Sequence, residues 1–271
     1  MHGGDPLNRA IGVFDSGVGG LTVLREIIKA LPSEDCFYLG DTARIPYGTK
    51  SKETVTGFAI KNTEFLVSLG IKFLVVACNT AAAAGLDRIA ERFDVPTIGV
   101  VLPGAERAAR VTKNGRLGVI GTRATILSGA YEREIVRIDP VIKVFQQPCP
   151  LFVPLAEEGW TEDEIAHLTA ERYLSRFADH SIDTLVLGCT HYPLLKGVIQ
   201  QAVGYDVTLV DSAAPIAWDV KKRLDEMGLK RDGSGGVKRF FVTDDPDSFK
   251  RVGEPFLGCR IDDVKHVDIV M

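Results

Sequence analysis

Two stretches of the chain deliver a thiol from the end of a short apolar run: Phe73-Leu-Val-Val-Ala-Cys78-Asn79-Thr80 and Thr184-Leu-Val-Leu-Gly-Cys189-Thr190-His191. A lone buried cysteine is most often a small hydrophobe, and Cys36, Cys149 and Cys259 read that way. Cys78 and Cys189 differ, since each follows four apolar residues and precedes hydrogen-bonding ones. A free thiol has a pKa of about 8.5, so little thiolate exists at neutral pH without help. Helix N-termini beginning near residues 80 and 192 would favour the anion, and His191 is close enough in sequence to reach Cys189. Two thiols at the carboxyl ends of parallel strands would face one small molecule from opposite sides. The chemical rival is a metal, because Cys78, Cys189 and His191 are plausible zinc ligands. No close pair such as CxxC or HxxxH supports it, and Asn79 and Thr80 are poor ligands.

The Gly-rich turn Asp15-Ser-Gly-Val-Gly-Gly20 follows a strand and opens a helix, with Asp41 at the end of the next strand, as in a dinucleotide site. Two residues spoil that reading. Thr22 occupies the third fingerprint position, and the carboxylate of Asp15 would repel a pyrophosphate. The turn is better read as presenting Asp15 and Ser16 to a smaller ligand carrying an ammonium group. Tyr47-Gly48, Asn79-Thr80, Thr122 and Thr190-His191 close other strand ends with neutral donors, which suit the carboxylates of a small substrate. For any one of them alone, loop capping is an equal explanation.

The elements that must position these residues alternate. Strands are expected at 10–14, 36–39, 72–77 and 95–101, with helices at 21–31, from the loop after Gly48 to about 69, and at 81–93. A second series starts after Pro103-Gly104, with strands at 116–120, 141–145, 183–188 and 207–211. Its helices run to about 137, from a capping box at Thr161 to about 178, and after Pro193, while a loop holds Cys149-Pro150 and Glu157-Glu158-Gly159. A helix at 215–227, a Gly-rich stretch at 232–236 and strands at 239–243 and 264–269 complete the chain, the strands returning to the first series. The fold expected is α/β, with mostly parallel sheets covered by helices on both faces. The two series look like weak copies: Ile11-Gly-Val-Phe-Asp-Ser16 matches Leu117-Gly-Val-Ile-Gly-Thr122, and the two cysteine strands match at nearly the same spacing. That implies two pseudo-symmetric domains, 1–102 plus 213–271 and 103–212, with the active site in the cleft between them.

Composition narrows the partners. Apolar residues are 45% and charged residues 25% of 271, the profile of a globular protein of one or two domains. No apolar run approaches the roughly 20 residues that span a bilayer, and the polar Met1–Pro6 lacks the core of an export signal. A net charge of −4 without a long basic block argues against nucleic acid. Five widely spaced cysteines without a CxxC pair argue against a disulfide framework and fit the cytoplasm.

At these motifs the chain resembles the glutamate racemases of the cofactor-independent amino-acid racemase superfamily. The matching segments are Gly12–Thr22, Tyr38–Gly48, Val76–Ala81, Gly121-Thr122 and Leu187–Pro193, in order, within a likeness running from about Ala10 to Ile269. Aspartate racemases share the two-cysteine plan, but Asp-Ser-Gly-Val-Gly-Gly and Pro-Tyr-Gly resemble the glutamate enzymes. The resemblance implies 1,1-proton transfer interconverting L- and D-glutamate for peptidoglycan synthesis, with no metal or pyridoxal phosphate, in a homodimer. It implies that Cys78 takes the α-proton of the D-enantiomer and Cys189 that of the L-enantiomer, with Asp15 assisting Cys78 and His191 assisting Cys189. Glu157 aligns with an acid near His191, although Glu158 beside it competes for that place. The alternative from another class is a non-catalytic amino-acid binder on the same scaffold; the presence of Cys78, Cys189, Asp15 and His191 together argues against it.

Overall fold

The computed structural model describes residues 6–233 and 235–270. Residues 1–5 of the stretch read for an export signal lie outside the described residues, as does Ser234 of the Gly-rich stretch. The first run is β1 (Ile11–Asp15), α1 (Leu21–Ala30), β2 (Cys36–Gly40), α2 (Lys52–Ser68), β3 (Phe73–Val76), α3 (Asn79–Arg92) and β4 (Thr97–Gly99). After α4 (Val101–Val111) come β5 (Arg116–Gly121), α5 (Arg123–Leu127), α6 (Ala130–Ile138), β6 (Lys143–Pro148), α7 (Phe152–Glu157), α8 (Glu164–Leu174), β7 (Thr184–Gly188), α9 (Lys196–Val203) and β8 (Thr208–Asp211). The chain then forms α10 (Ala213–Glu226), β9 (Lys238–Val242), α11 (Pro246–Leu257) and β10 (Val264–His266).

These strands make two sheets, ordered β10-β9-β2-β1-β3-β4 and β6-β5-β7-β8, and every ladder is parallel. The run β2-β1-β3-β4 repeats the order of β6-β5-β7-β8. Register repeats with it: Ile11 pairs with Phe73 as Leu117 pairs with Thr184, and Gly12 with Leu74 as Gly118 with Leu185. The two glycines share a cause as well as a position. A Cβ on Gly12 would stand 2.7 Å from Ile71 Cδ1, and one on Gly118 2.8 Å from Ile182 Cδ1, so the same spot in each sheet is filled by an isoleucine from the approaching loop. Strand faces are apolar on both sides (β1 and β7 are buried throughout), as helices on both faces require. No described helix is long and apolar enough to cross a membrane.

The structure corrects several element expectations. Pro103-Gly104 lies inside α4 rather than before a new strand, because a proline in the first turn has no amide partner to lose. The helix expected to reach 137 is broken into α5 and α6 by Gly129, whose φ is +62°. Residues 152–157 are helix rather than loop, and Asp163, not Thr161, caps α8 through Oδ1 accepting from Ala166 N–H at 2.8 Å. A twelve-residue helix, α11, stands between the last two strands and packs on α1. Those strands do return to the first sheet. Cys36 and Cys149 are buried, but Cys259, just beyond the end of α11, is exposed rather than a core hydrophobe; all five thiols are free.

Candidate active site

The carboxyl ends of β3 and β7, equivalent strands of the two sheets, open on one cavity of about 340 Å³. Cys78 follows β3 and caps α3: its Sγ accepts the Ala81 N–H at 3.4 Å, and its thiol donates to Ser16 Oγ at 3.7 Å. Burial pushes this thiol up to about 12, and the Asp15 carboxylate adds to the rise, against the hydrogen bonds it makes with Ala81 and Ser16. Cys189 follows β7, with Sγ 3.7 Å from His191 Nδ1; the other ring nitrogen, Nε2, stands 2.9 Å from Glu157 Oε1. Burial works against a charged ring here, but the hydrogen bonds and negative charge of Cys189 and Glu157 outweigh it, so His191 is raised above its usual 6.5. The helix expected at 192 is only a short 3-10 turn, Tyr192–Leu195, and α9 starts at Lys196. The two thiols therefore differ: one sits on a fourteen-residue helix, the other beside an imidazole.

Asp15 ends β1 and is fully buried. Its Oδ2 accepts the Gly17 N–H at 2.9 Å, while Oδ1 has no hydrogen-bond partner among the described residues. Burial raises this carboxyl above its usual range, opposed by the His191 charge and by backbone N–H groups of Gly17, Gly20 and Ser16. Asp15 does not line the cavity itself; its neighbour Ser16 does. Asp41 does not serve a ribose. It is buried and accepts from Thr243 Oγ1 at 2.9 Å, Arg44 at 3.1 Å and the Tyr47 hydroxyl, which pins the turn carrying Tyr47 and Gly48 to the cavity wall.

The other candidates converge. Ser16, Tyr47, Gly48, Asn79, Thr80, Thr122, Thr190 and Glu157 all line the cavity with Cys78, Cys189 and His191. Glu158, which caps the end of α7, is exposed and is not a lining residue. Thr80 of the first half meets Thr122 of the second at 2.9 Å between hydroxyl oxygens, and both meet the buried Thr125, at 3.1 and 3.0 Å. The lining also includes the apolar Ile45, Pro46, Pro150, Val153 and Pro154, and the sequence reading passes over the last three because 149–159 looks like loop. Among the described lining residues there is no lysine or arginine, so an anionic guest would be held by neutral donors and His191.

Close approach of the halves explains two glycines. A Cβ on Gly48 would stand 2.6 Å from Thr122 Cβ, and one on Gly19 2.5 Å from His191 Nδ1 and Cε1 and against Thr190 Oγ1. The Gly-rich turn is thus shaped to receive the Thr190-His191 segment.

Known proteins resemble this chain in sequence and fold. The family model described as Asp/Glu/hydantoin racemase matches residues 11–220. A glutamate racemase of Geobacter metallireducens is 56% identical over 96% of this chain and 97% of its own. The crystal structure of the Francisella tularensis glutamate racemase in complex with D-glutamate superposes with a TM-score of 0.92 at 40% identity, covering 97% of this chain and 98% of that one. The Escherichia coli glutamate racemase, in complex with L-glutamate and the activator UDP-MurNAc-Ala, gives 0.81 at 29% identity over 97% of this chain and 100% of that one.

Proposed function

The chain belongs to the Asp/Glu/hydantoin racemase family, as a glutamate racemase, and from that membership we propose that it works by two-base proton transfer between Cys78 and Cys189. The observation that carries this reading is that two thiols from equivalent strand ends line one cavity, each with its own buried acid-base partner. In the resting state Cys78, pushed up to about 12, holds its proton and is an acid. On this reading Cys189, with His191 Nδ1 3.7 Å from its Sγ, acts as the base. That state is ready to take the α-proton of L-glutamate at Cys189 and return one from Cys78 on the other face. Reversal leaves the roles exchanged and consumes D-glutamate.

Thiols alone are too weak for the task. Acid-base help supplies roughly 10²- to 10⁴-fold, so the planar carbanion beside the α-carboxylate needs donors aimed at its oxygens, worth about 3–4 kcal/mol each. Asn79, Thr80, Thr122 and Thr190 are the donors of this cavity, and a closed, dry cleft strengthens them. Asp15, one residue behind the cavity and with one oxygen unpartnered, assists Cys78 by keeping the proton on that thiol, the acid role this reading gives it. The reading includes a cleft between a unit of residues 1–102 plus 213–271 and one of 103–212, a homodimer, and supply of D-glutamate to peptidoglycan in the cytoplasm.

Solvent deuterium entering the α-carbon of glutamate tests the reaction. It should proceed with EDTA and without pyridoxal phosphate; loss on chelation restored by zinc would favour the metal reading instead. Cys78→Ser and Cys189→Ser should each abolish racemisation. The first should still eliminate chloride from the L form of a β-chloro glutamate analogue, and the second from the D form. The same enantiomer preference in both variants would sink the two-base assignment. A fully active monomer in sedimentation would remove the dimer, and failure to relieve a D-glutamate auxotroph would remove the peptidoglycan role.

A further inference from the structure

Asn79 starts α3 one residue after Cys78, lines the cavity and is 3% exposed. Its Nδ2 has no hydrogen-bond partner among the described residues, whereas its Oδ1 accepts from the Tyr131 hydroxyl at 2.7 Å. A side-chain amide fits its place in two orientations that exchange donor and acceptor. One turns an NH2 toward the substrate. The other turns an oxygen there, which would repel a carboxylate and the charge that develops on it during proton transfer.

Tyr131 decides between them. Its phenol is buried, and burial raises its pKa, so it remains a neutral O–H donor at any working pH. Ser212 works against that rise, and the phenol proton goes to Asn79 Oδ1. Tyr131 lies on α6 of the second half, while Asn79 belongs to the first. The ring reaches across because two glycines leave it room: a Cβ on Gly188 would stand 3.0 Å from Tyr131 Cε2, and one on Gly104 3.2 Å from its hydroxyl. Gly188 directly precedes Cys189. One side chain therefore packs on the strand end that presents one thiol and holds the residue that follows the other.

We propose that Tyr131 is a positioning residue for the proton transfer: its hydroxyl, donated across the two halves to Asn79 Oδ1, keeps the Asn79 NH2 turned to the substrate. The inference rests on the racemisation reading above, since it needs a substrate oxygen for that NH2 to meet.

Tyr131→Phe keeps the ring and removes the hydroxyl. It should lower kcat/KM roughly tenfold or more in both directions of racemisation, because a buried acceptor is left bare and the amide is free to turn. Most of the loss should fall on kcat, where the developing charge is met. In an Asn79→Ala background the same change should cost less than about twofold, since no amide remains to be oriented. Ser212→Ala offers the same comparison without touching the ring, with a smaller loss that also vanishes in the Asn79→Ala background. An equal cost in both backgrounds, or none in either, would overturn the proposal and leave Tyr131 a packing residue. Absence of racemisation by the unaltered protein is a separate result: it would overturn the proposed function and this inference with it.

Discussion

Replacing Gly19 by alanine adds one methyl group to a loop of the first half, and the structure gives its consequence in the second. The new Cβ would stand 2.5 Å from His191 Nδ1 and Cε1, where ordinary contact needs 3.4–4 Å. The ring, or the loop, must give way by about 1 Å, and the ring has no slack. Phe256 meets it edge-on with 5.3 Å between ring centres, and Glu157 holds Nε2 at 2.9 Å. The 3.7 Å contact from Nδ1 to Cys189 Sγ is what breaks. A misplacement of that size costs roughly 10²-fold where chemistry depends on alignment. The assay is chloride elimination from each enantiomer of a β-chloro glutamate analogue, with the thermal midpoint as control for folding. Gly19→Ala should lose about 100-fold on the L-analogue, which uses Cys189, and far less on the D-analogue, which uses Cys78. Racemisation, which needs both thiols, should fall with the slower half. Equal losses on both enantiomers would mean the methyl disturbs the cleft as a whole, and no loss would mean that His191 does not position Cys189.

Two further outcomes follow from the buried ionisable groups. Burial raises the Asp15 carboxyl above 3.8, so the folded state keeps a proton that the unfolded chain releases, and its contribution to stability is fully present only below the unfolded value and falls as pH rises through the folded one. Asp15→Asn should therefore raise the thermal midpoint at pH 7, with the gain closing toward pH 4 while racemisation is lost; an unchanged or lowered midpoint at pH 7 would contradict the strain. The Glu157 carboxylate helps to raise His191, so Glu157→Gln should move the alkaline limb of the rate profile for the L-enantiomer to lower pH, whereas the exposed Glu158→Gln should leave it in place. A shift in the second variant and not the first would reverse the assignment of the acid.

Most of the site is legible in the sequence because strand ends announce themselves. An apolar run that stops at Cys-Asn-Thr or Cys-Thr-His puts polar atoms where a parallel sheet opens, and the residues singled out at strand ends meet at one cavity except Asp15, one residue behind it, and Asp41, which holds Tyr47 from outside. The helices that the sequence reading passes over share a cause. Pro103 is the third residue of α4, Pro154 the third of α7 and Pro246 the first of α11. A proline reads as a break, yet in the first turn it surrenders no hydrogen bond and brings a fitting φ. The cost of that misreading is functional, since α7 carries Glu157 with Val153 and Pro154 of the apolar wall, and α11 brings Phe256 against His191.

What cannot be read from one segment is any fact that belongs to two. Gly19 looks like half of a nucleotide fingerprint until His191, in the other half of the chain, is seen to occupy the space its missing Cβ leaves. Asn79 looks like a helix-start residue until Tyr131 is found on its oxygen. Thr80 and Thr122 look like two separate caps until their hydroxyls are seen to meet each other and that of Thr125. Each case joins a strand end of one half to a loop or helix of the other. A pseudo-symmetric cleft explains why these joints collect the chemistry. In the proposed reaction two copies of one layout, facing each other, would present equivalent strand ends to the two faces of a single carbon, and a reaction that exchanges those faces asks for nearly the same equipment on both sides. On the proposed reading the departures from symmetry, a helix N-terminus with Asp15 for one thiol and an imidazole with Glu157 for the other, are what set the two thiols apart.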